Sequence, residues 1–200
     1  MNILIILAHP DPASFNHALA AATARAARQQ GHGVVLHDLY AEEFDPILPK
    51  AEFAKGGALE PWLRRYCDDL AAADGIVIVH PNWWGQPPAI LKGWIDRVVR
   101  PGVAYAFEEG DSGEGVPVGL LRARTAVVLN TSNTPPEREQ QAFGDPLDSI
   151  WKRCVFGLCG VHDVRRRTYG VVVTTTKEMR ARWLSDATDI VTSAFPRSMG

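Results

Sequence analysis

Short unbroken apolar runs alternate along the chain with longer stretches in which apolar residues return every three or four positions. Asn2 to Ala8 (NILIILA) is an unbroken apolar run, as expected of a parallel strand covered on both faces. Val34-Val35-Leu36, Ile76 to Val79, Thr125 to Leu129 and Val171-Val172-Val173 predict strands two to five. Helical segments lie between them. Ser14-Phe15-Asn16 introduces the alanine-rich stretch Ala18 to Ala27, ended by Gly31 and Gly33, and Leu63 to Ala73 follows. Pro88 to Val99 has a proline in its first turn, where a missing N–H costs nothing. Ile90, Leu91, Trp94, Ile95 and Val98 recur along one face of that helix. Leu147 to Cys159, stopped by Gly160, and Glu178 to Ser193 complete the helices, while Asp45 to Ala58 and Glu108 to Gly119 read as surface excursions.

Strands alternating with helices predict an α/β fold, a doubly wound parallel sheet. In such sheets ligands sit in the crevice beyond the strands' carboxyl ends, where the strand order reverses. The 200 residues, 46% hydrophobic, suit one domain over 1–200 with a substantial core. No repeat or low-complexity segment interrupts it. With 21 basic and 23 acidic residues the net charge is -2, which gives no electrostatic case for nucleic acid or a polyanionic membrane. Arg165-Arg166-Arg167 reads as a solvated strand edge. Cys67, Cys154 and Cys159 form no CxxC pair and no metal-ligand spacing, so free thiols in a reducing cytoplasm and no metal are expected. The first residues already form a strand, and no run reaches the roughly 18 apolar residues of a membrane span. The expectation is a cytoplasmic protein without membrane insertion.

Four segments, three after strands and one after the Pro88–Val99 helix, could carry chemistry. His9-Pro10-Asp11-Pro12-Ala13-Ser14-Phe15-Asn16 puts hydroxyl and amide side chains at a helix start, either as a plain cap or as an anion site; the GxGxxG glycines are absent. Pro81-Asn82-Trp83-Trp84-Gly85 sets two adjacent indoles in a proline-bounded loop, a platform for a flat aromatic ligand if they are not core. Asn130-Thr131-Ser132-Asn133-Thr134 is either an ordinary turn or a set of N–H and hydroxyl donors. Pro101 to Phe107 is either a half-buried edge strand or a pocket wall. Trp94 reads as core, Lys92 and Asp96 as a surface ion pair one turn apart, and Arg180 as solvated.

The string from His80 to Val99, HPNWWGQPPAILKGWIDRVV, closely resembles the flavin-loop segment of the bacterial NAD(P)H:quinone oxidoreductases, flavodoxin-like relatives of DT-diaphorase. The similarity runs from Asn2 to about Phe107 and returns more weakly beyond Thr125. It implies a flavodoxin-like sheet of order 2-1-3-4-5. It further implies FMN, with FAD as the alternative, as a cofactor bound by His9, Ser14, Phe15, Asn16, Pro81, Asn82, Trp83, Trp84, Gly85, Asn130, Thr131, Ser132 and Asn133. Trp84 would anchor the flavin loop, and Tyr105 and Phe107 would stack on substrate. The implied activity is ping-pong transfer from NAD(P)H to a quinone or similar electrophile, in a homodimer. The mammalian-type Tyr and His that assist transfer are not matched; residues near Glu137 and Phe143 hold those places. The stretch before Leu63 is also shorter than in FAD-binding relatives. A flavodoxin-like electron carrier and a regulatory flavoprotein subunit of a potassium-efflux system are the alternatives.

Overall fold

The structure, a computed structural model, describes residues 1–53, 59–108 and 114–197. Five parallel strands form its centre: β1 (Asn2–Leu7), β2 (Gly33–Asp38), β3 (Gly75–Pro81), then β6 (Thr125–Ser132) and β7 (Asp163–Gly170). A two-stranded antiparallel ribbon, β4 (Tyr105–Ala106) with β5 (Val118–Gly119), lies between the third and fourth of them in sequence. The sheet order is β2-β1-β3-β6-β7, so the predicted 2-1-3-4-5 order of core strands holds.

Alternation along the strands divides the core in two. Leu4, Ile6, Ile76, Ile78, Ala126 and Val128 face α2 (Pro61–Ala72), α3 (Ala89–Val98) and the helical stretch that begins at α5 (Pro146–Ser149). Ile3, Ile5, Leu7, Val77, Val79, Val127 and Leu129 face α1 (Phe15–Gln29) and α6 (Lys177–Ala194). Successive side chains of a strand point to opposite faces, so a central strand must be apolar throughout, as NILIILA is. Trp94 is buried at 2% exposure, in the core as its spacing predicts. Lys92 and Asp96 pair at 2.6 Å on the surface of α3, a contact that contributes little to stability.

Two expectations are corrected. The fifth strand is Asp163–Gly170, and Val172–Thr174 is a short 3-10 turn. The edge strand pairs only with β6 and carries charge, a common defence of sheet edges, so its apolar signal is weak. Arg165-Arg166-Arg167 therefore lies within the strand, and the Arg166 side chain, 9% exposed, turns inward. The other surprise is α4 (Pro136–Phe143), which has no buried residue and so no apolar period. Its marks are Pro136 in the first turn and Gly144 at φ 68 beyond its last residue. The predicted excursions at 45–58 and 108–119 extend partly outside the described residues.

Candidate functional site

Beyond the carboxyl ends of β1, β3 and β6 lies a cleft of about 420 Å³, at the reversal of strand order where α/β sheets bind ligands. Three loops wall it: His9 to Asn16 after β1, Pro81 to Trp83 at the end of β3, and Thr131 to Thr134 at the end of β6. Val172 and Arg180 close the side nearest α6.

The first loop is wound on itself. The Asp11 N–H donates to His9 Nδ1 at 3.1 Å, and Asp11 Oδ1 accepts from the Ala13 N–H at 2.8 Å. Ser14 caps α1, its Oγ accepting from the His17 N–H at 3.4 Å. The first turn of α1 holds no acidic residue, so the positive end of the helix dipole faces a cleft whose one nearby carboxylate, Asp11, is engaged by the Ala13 N–H. The N–H groups of Phe15 and Asn16, at the first two helical positions, have no helical carbonyl to bond. Asn16 is 2% exposed, and its Nδ2 donates to Thr131 Oγ1 at 2.9 Å. That side chain braces α1 against β6, leaving its backbone N–H for the cleft. Burial holds the His9 imidazole below the usual histidine range, which favours a neutral ring there.

The second loop turns sharply. The Trp83 N–H donates to the Gln86 carbonyl at 3.1 Å and the Gln86 N–H returns to Trp83 at 3.0 Å. Between them Trp84 and Gly85 lie at φ 58 and 70, as a two-residue turn of this hand demands. Glycine adopts that conformation freely, whereas tryptophan is strained in it. Asn82 fixes the turn, accepting from the Gly85 N–H at 2.9 Å and donating to Glu139 Oε1 of α4 at 3.0 Å. Trp83 leans over the cleft with its ring 6.2 Å from that of His9. Trp84 is 99% exposed. It therefore does not anchor the loop within the chain. With Gly85 it borders a second cavity of about 510 Å³, completed by Asn82, Thr134, Arg138, Glu139, Phe143 and Pro146.

Thr131, Ser132 and Asn133 line the first cleft. Ser132 Oγ accepts from the Thr134 N–H at 3.0 Å and Asn133 Oδ1 from the Val173 N–H at 3.1 Å. Asn130 lies elsewhere. Fully buried, it donates through Nδ2 to His80 Nε2 at 2.8 Å and accepts at Oδ1 from Arg166 Nη1 at 3.0 Å. Trp151 Nε1 also donates to His80 Nε2, at 2.9 Å, and His80 Nδ1 donates to the Pro81 carbonyl at 2.8 Å. Arg166 continues to Thr168, Asp145 and Asp148. This polar network ties β3 and β6 to β7 and to the Trp151 stretch, one residue before the Pro81 and Thr131 positions that line the cleft.

Tyr105 and Phe107 line neither cavity. Their rings meet edge to face at 5.9 Å on the β4–β5 ribbon. Arg180, read from sequence as solvated, stands at the cleft rim. Its guanidinium lies 5.9 Å from the Phe15 ring, and its Nε donates to Thr175 Oγ1 at 2.8 Å. Its position in the first turn of the last helix was the only sequence signal. The described residues contain no His/Cys/Asp/Glu group able to hold a metal ion, and none of their helices is long and apolar enough to cross a membrane.

A parallel sheet of this order, with its cleft at the switch point, defines the flavodoxin-like class of α/β proteins. The chain belongs to the family described as having the flavodoxin-like fold, whose model matches residues 1–189. It is 34% identical to an uncharacterized NAD(P)H oxidoreductase of Haemophilus influenzae over 177 residues, 85% of this chain and 84% of that one. It is 32% identical to an FMN-dependent NADH:quinone oxidoreductase of Ruegeria pomeroyi over 139 residues, 64% of this chain and 66% of that one. Among solved structures, the NAD(P)H:quinone oxidoreductase of Methanothermobacter marburgensis superposes with a TM-score of 0.80 at 25% identity, covering 96% of this chain and 95% of that one.

Proposed function

We propose that the protein is a flavin-dependent NAD(P)H oxidoreductase acting on quinones or similar electrophiles, with FMN held in the 420 Å³ cleft. One observation carries this reading: a single cleft joins an anion-ready helix start to an aromatic wall and a row of hydroxyl and amide groups. Ser14 and the Phe15 and Asn16 N–H groups suit a phosphate. Trp83 and the loop backbone suit the face and edge of a tricyclic ring. Thr131, Ser132 and Asn133 suit the ring's polar side, where donors would stabilise charge gained on reduction. A bound flavin supplies two-electron chemistry between a reduced nicotinamide and an acceptor. The protein's part is to orient the partners and exclude water.

The names of the Haemophilus and Ruegeria relatives, an NAD(P)H oxidoreductase and an FMN-dependent NADH:quinone oxidoreductase, support the same activity. Tyr105 and Phe107 line neither cavity; the reading takes the working form to be a cytoplasmic homodimer, in which a second copy would bring them to the substrate. The test is an absorption spectrum of the FMN-reconstituted protein under anaerobic NADH or NADPH, followed by a quinone. Bleaching followed by recovery is the expected result. Flavin that binds yet stays oxidised would assign the protein to electron carriage or regulation instead.

The Trp84 turn gives a prediction in which stability and affinity move apart. Trp84→Gly removes an exposed ring and a positive-φ strain and should stabilise the fold by about 1 kcal/mol. If Trp84 covers the flavin, the same change weakens FMN binding roughly tenfold, about 1.4 kcal/mol. Thermal unfolding of the apoprotein and fluorescence titration with FMN measure the two effects. Unchanged FMN affinity would restrict the flavin contact to Trp83.

A further inference from the structure

We infer that His17 is a positioning residue that sets the Ser14 hydroxyl for the cofactor phosphate, and that phosphate binding places a proton on His17. The inference rests on the reading that this end of the cleft holds the phosphate of FMN. Ser14 Oγ lies 2.9 Å from His17 Nδ1, and His17 Nε2 lies 2.9 Å from Asp38 Oδ2. Asp38 ends β2 and is itself fixed, its Oδ1 accepting from the N–H groups of Tyr40 and Ala41 at 3.2 Å each. Three side chains from the loop, the helix and the neighbouring strand thus form one line of hydrogen bonds.

The donor inventory leaves two arrangements. An ionised carboxylate only accepts, so His17 Nε2 carries a hydrogen. Nδ1 is then either bare or protonated. If bare, it accepts the single Ser14 proton; one Ser14 lone pair already accepts from the His17 N–H, so the hydroxyl has only its other lone pair for the cleft and no proton to give an anion. If protonated, Nδ1–H donates to Ser14 Oγ and the Ser14 proton is free to donate to a phosphate oxygen. The anion and the imidazolium therefore favour each other, and the added proton comes from solvent.

The groups set around His17 agree. Asp38 on β2 supplies the compensating charge, and the His9 ring meets His17 edge-on at 6.4 Å. Asp11 lies farther along the same loop, and the first turn of α1 adds no acid.

Full-length apoprotein titrated by flavin fluorescence with FMN and with riboflavin, which lacks the phosphate, tests this from about pH 6 to about pH 8.5. The quantity read is FMN affinity divided by riboflavin affinity. His17→Phe should lower that ratio about tenfold at the acid end and flatten its pH dependence. His17→Asn places an amide N–H near the position of Nδ1 and should keep most of the ratio while losing the imidazole's share of the slope. The second ionisation of the phosphate, near pH 6, acts on every variant alike. A His17→Phe protein with the wild-type ratio and slope would overturn the inference. Should that variant not fold, a His17→Asn slope equal to wild type would do the same. Failure of the wild-type protein to bind either flavin would instead remove the cofactor reading, and this inference with it.

Discussion

Arg166→Met should lower the unfolding free energy by roughly 3 kcal/mol and weaken FMN binding, although Arg166 does not line the cleft. The side chain is 9% exposed on the edge strand. Nη1 donates to Asn130 at 3.0 Å and Thr168 at 2.9 Å, Nε reaches Asp148 at 3.5 Å, and Nη2 pairs with Asp145. Methionine fills much of the same volume, so the loss is chiefly polar. The two carboxylates are 26% and 45% exposed and can rehydrate, which limits their share of the cost. Asn130 cannot rehydrate: it is fully buried, and its Oδ1 would lose its donor. The effect on binding follows from Asp145, which sits at φ 50 just before Pro146. Pro146 packs against Gly85 in the flavin-loop turn, where an added Cβ would lie 3.1 Å from it. Urea unfolding of the apoprotein should move in midpoint and keep its slope. A loss below about 1 kcal/mol would mean that Arg166 only decorates the edge.

The contrast between Arg166 and its two neighbours explains what the sequence could and could not disclose. Arg165 pairs with Asp163 at 3.0 Å and Arg167 with Asp186 at 3.1 Å, both on the surface. A run of three arginines looks uniform, and only the pleat of the strand turns the middle one inward. The central strands were legible because burial on both faces requires unbroken apolar runs. Helix α4 and the edge strand were not, since neither buries an apolar stripe of its own. The site was legible as segments: the loops after β1, β3 and β6 each stood out by residue type at a strand end. Roles within them were not. Adjacent tryptophans read alike in sequence, yet the turn sends Trp83 to the cleft and Trp84 outward. Asn130 and Thr131 are neighbours, and strand alternation gives one to the buried network and the other to the cleft. The Ser14–His17–Asp38 line joins residues 21 positions apart in its longer link, and β2 must lie beside β1 before it exists.

Acidification should destabilise the protein by roughly 2–3 kcal/mol through His80 alone between about pH 6.5 and about pH 4.5. Burial drives the pKa of this fully buried imidazole down to about 4, with the nearby Arg166 charge adding to the effect and the bond to the Pro81 carbonyl opposing it. An unfolded-chain histidine titrates near 6.5. Between those values the unfolded state binds the proton and the folded state does not, so stability falls as pH falls. The contribution is fully present above about pH 6.5 and is lost as pH drops toward about 4. The structural reason is the direction of two hydrogen bonds. Trp151 and Asn130 both donate to His80 Nε2, at 2.9 and 2.8 Å. A proton on Nε2 would turn that acceptor into a donor and leave two buried N–H groups facing it, each lost partner costing about 1–3 kcal/mol. Denaturant unfolding at both pH values, for wild type and His80→Gln, separates this group from the carboxylates, which act mostly at lower pH. The variant is less stable at neutral pH but should lose 2–3 kcal/mol less on acidification. Parallel pH profiles for the two proteins would assign the acid sensitivity to other groups. Because Pro81 and Thr131, which line the cleft, directly follow His80 and Asn130 in the chain, release of FMN from wild type should follow the same acid transition.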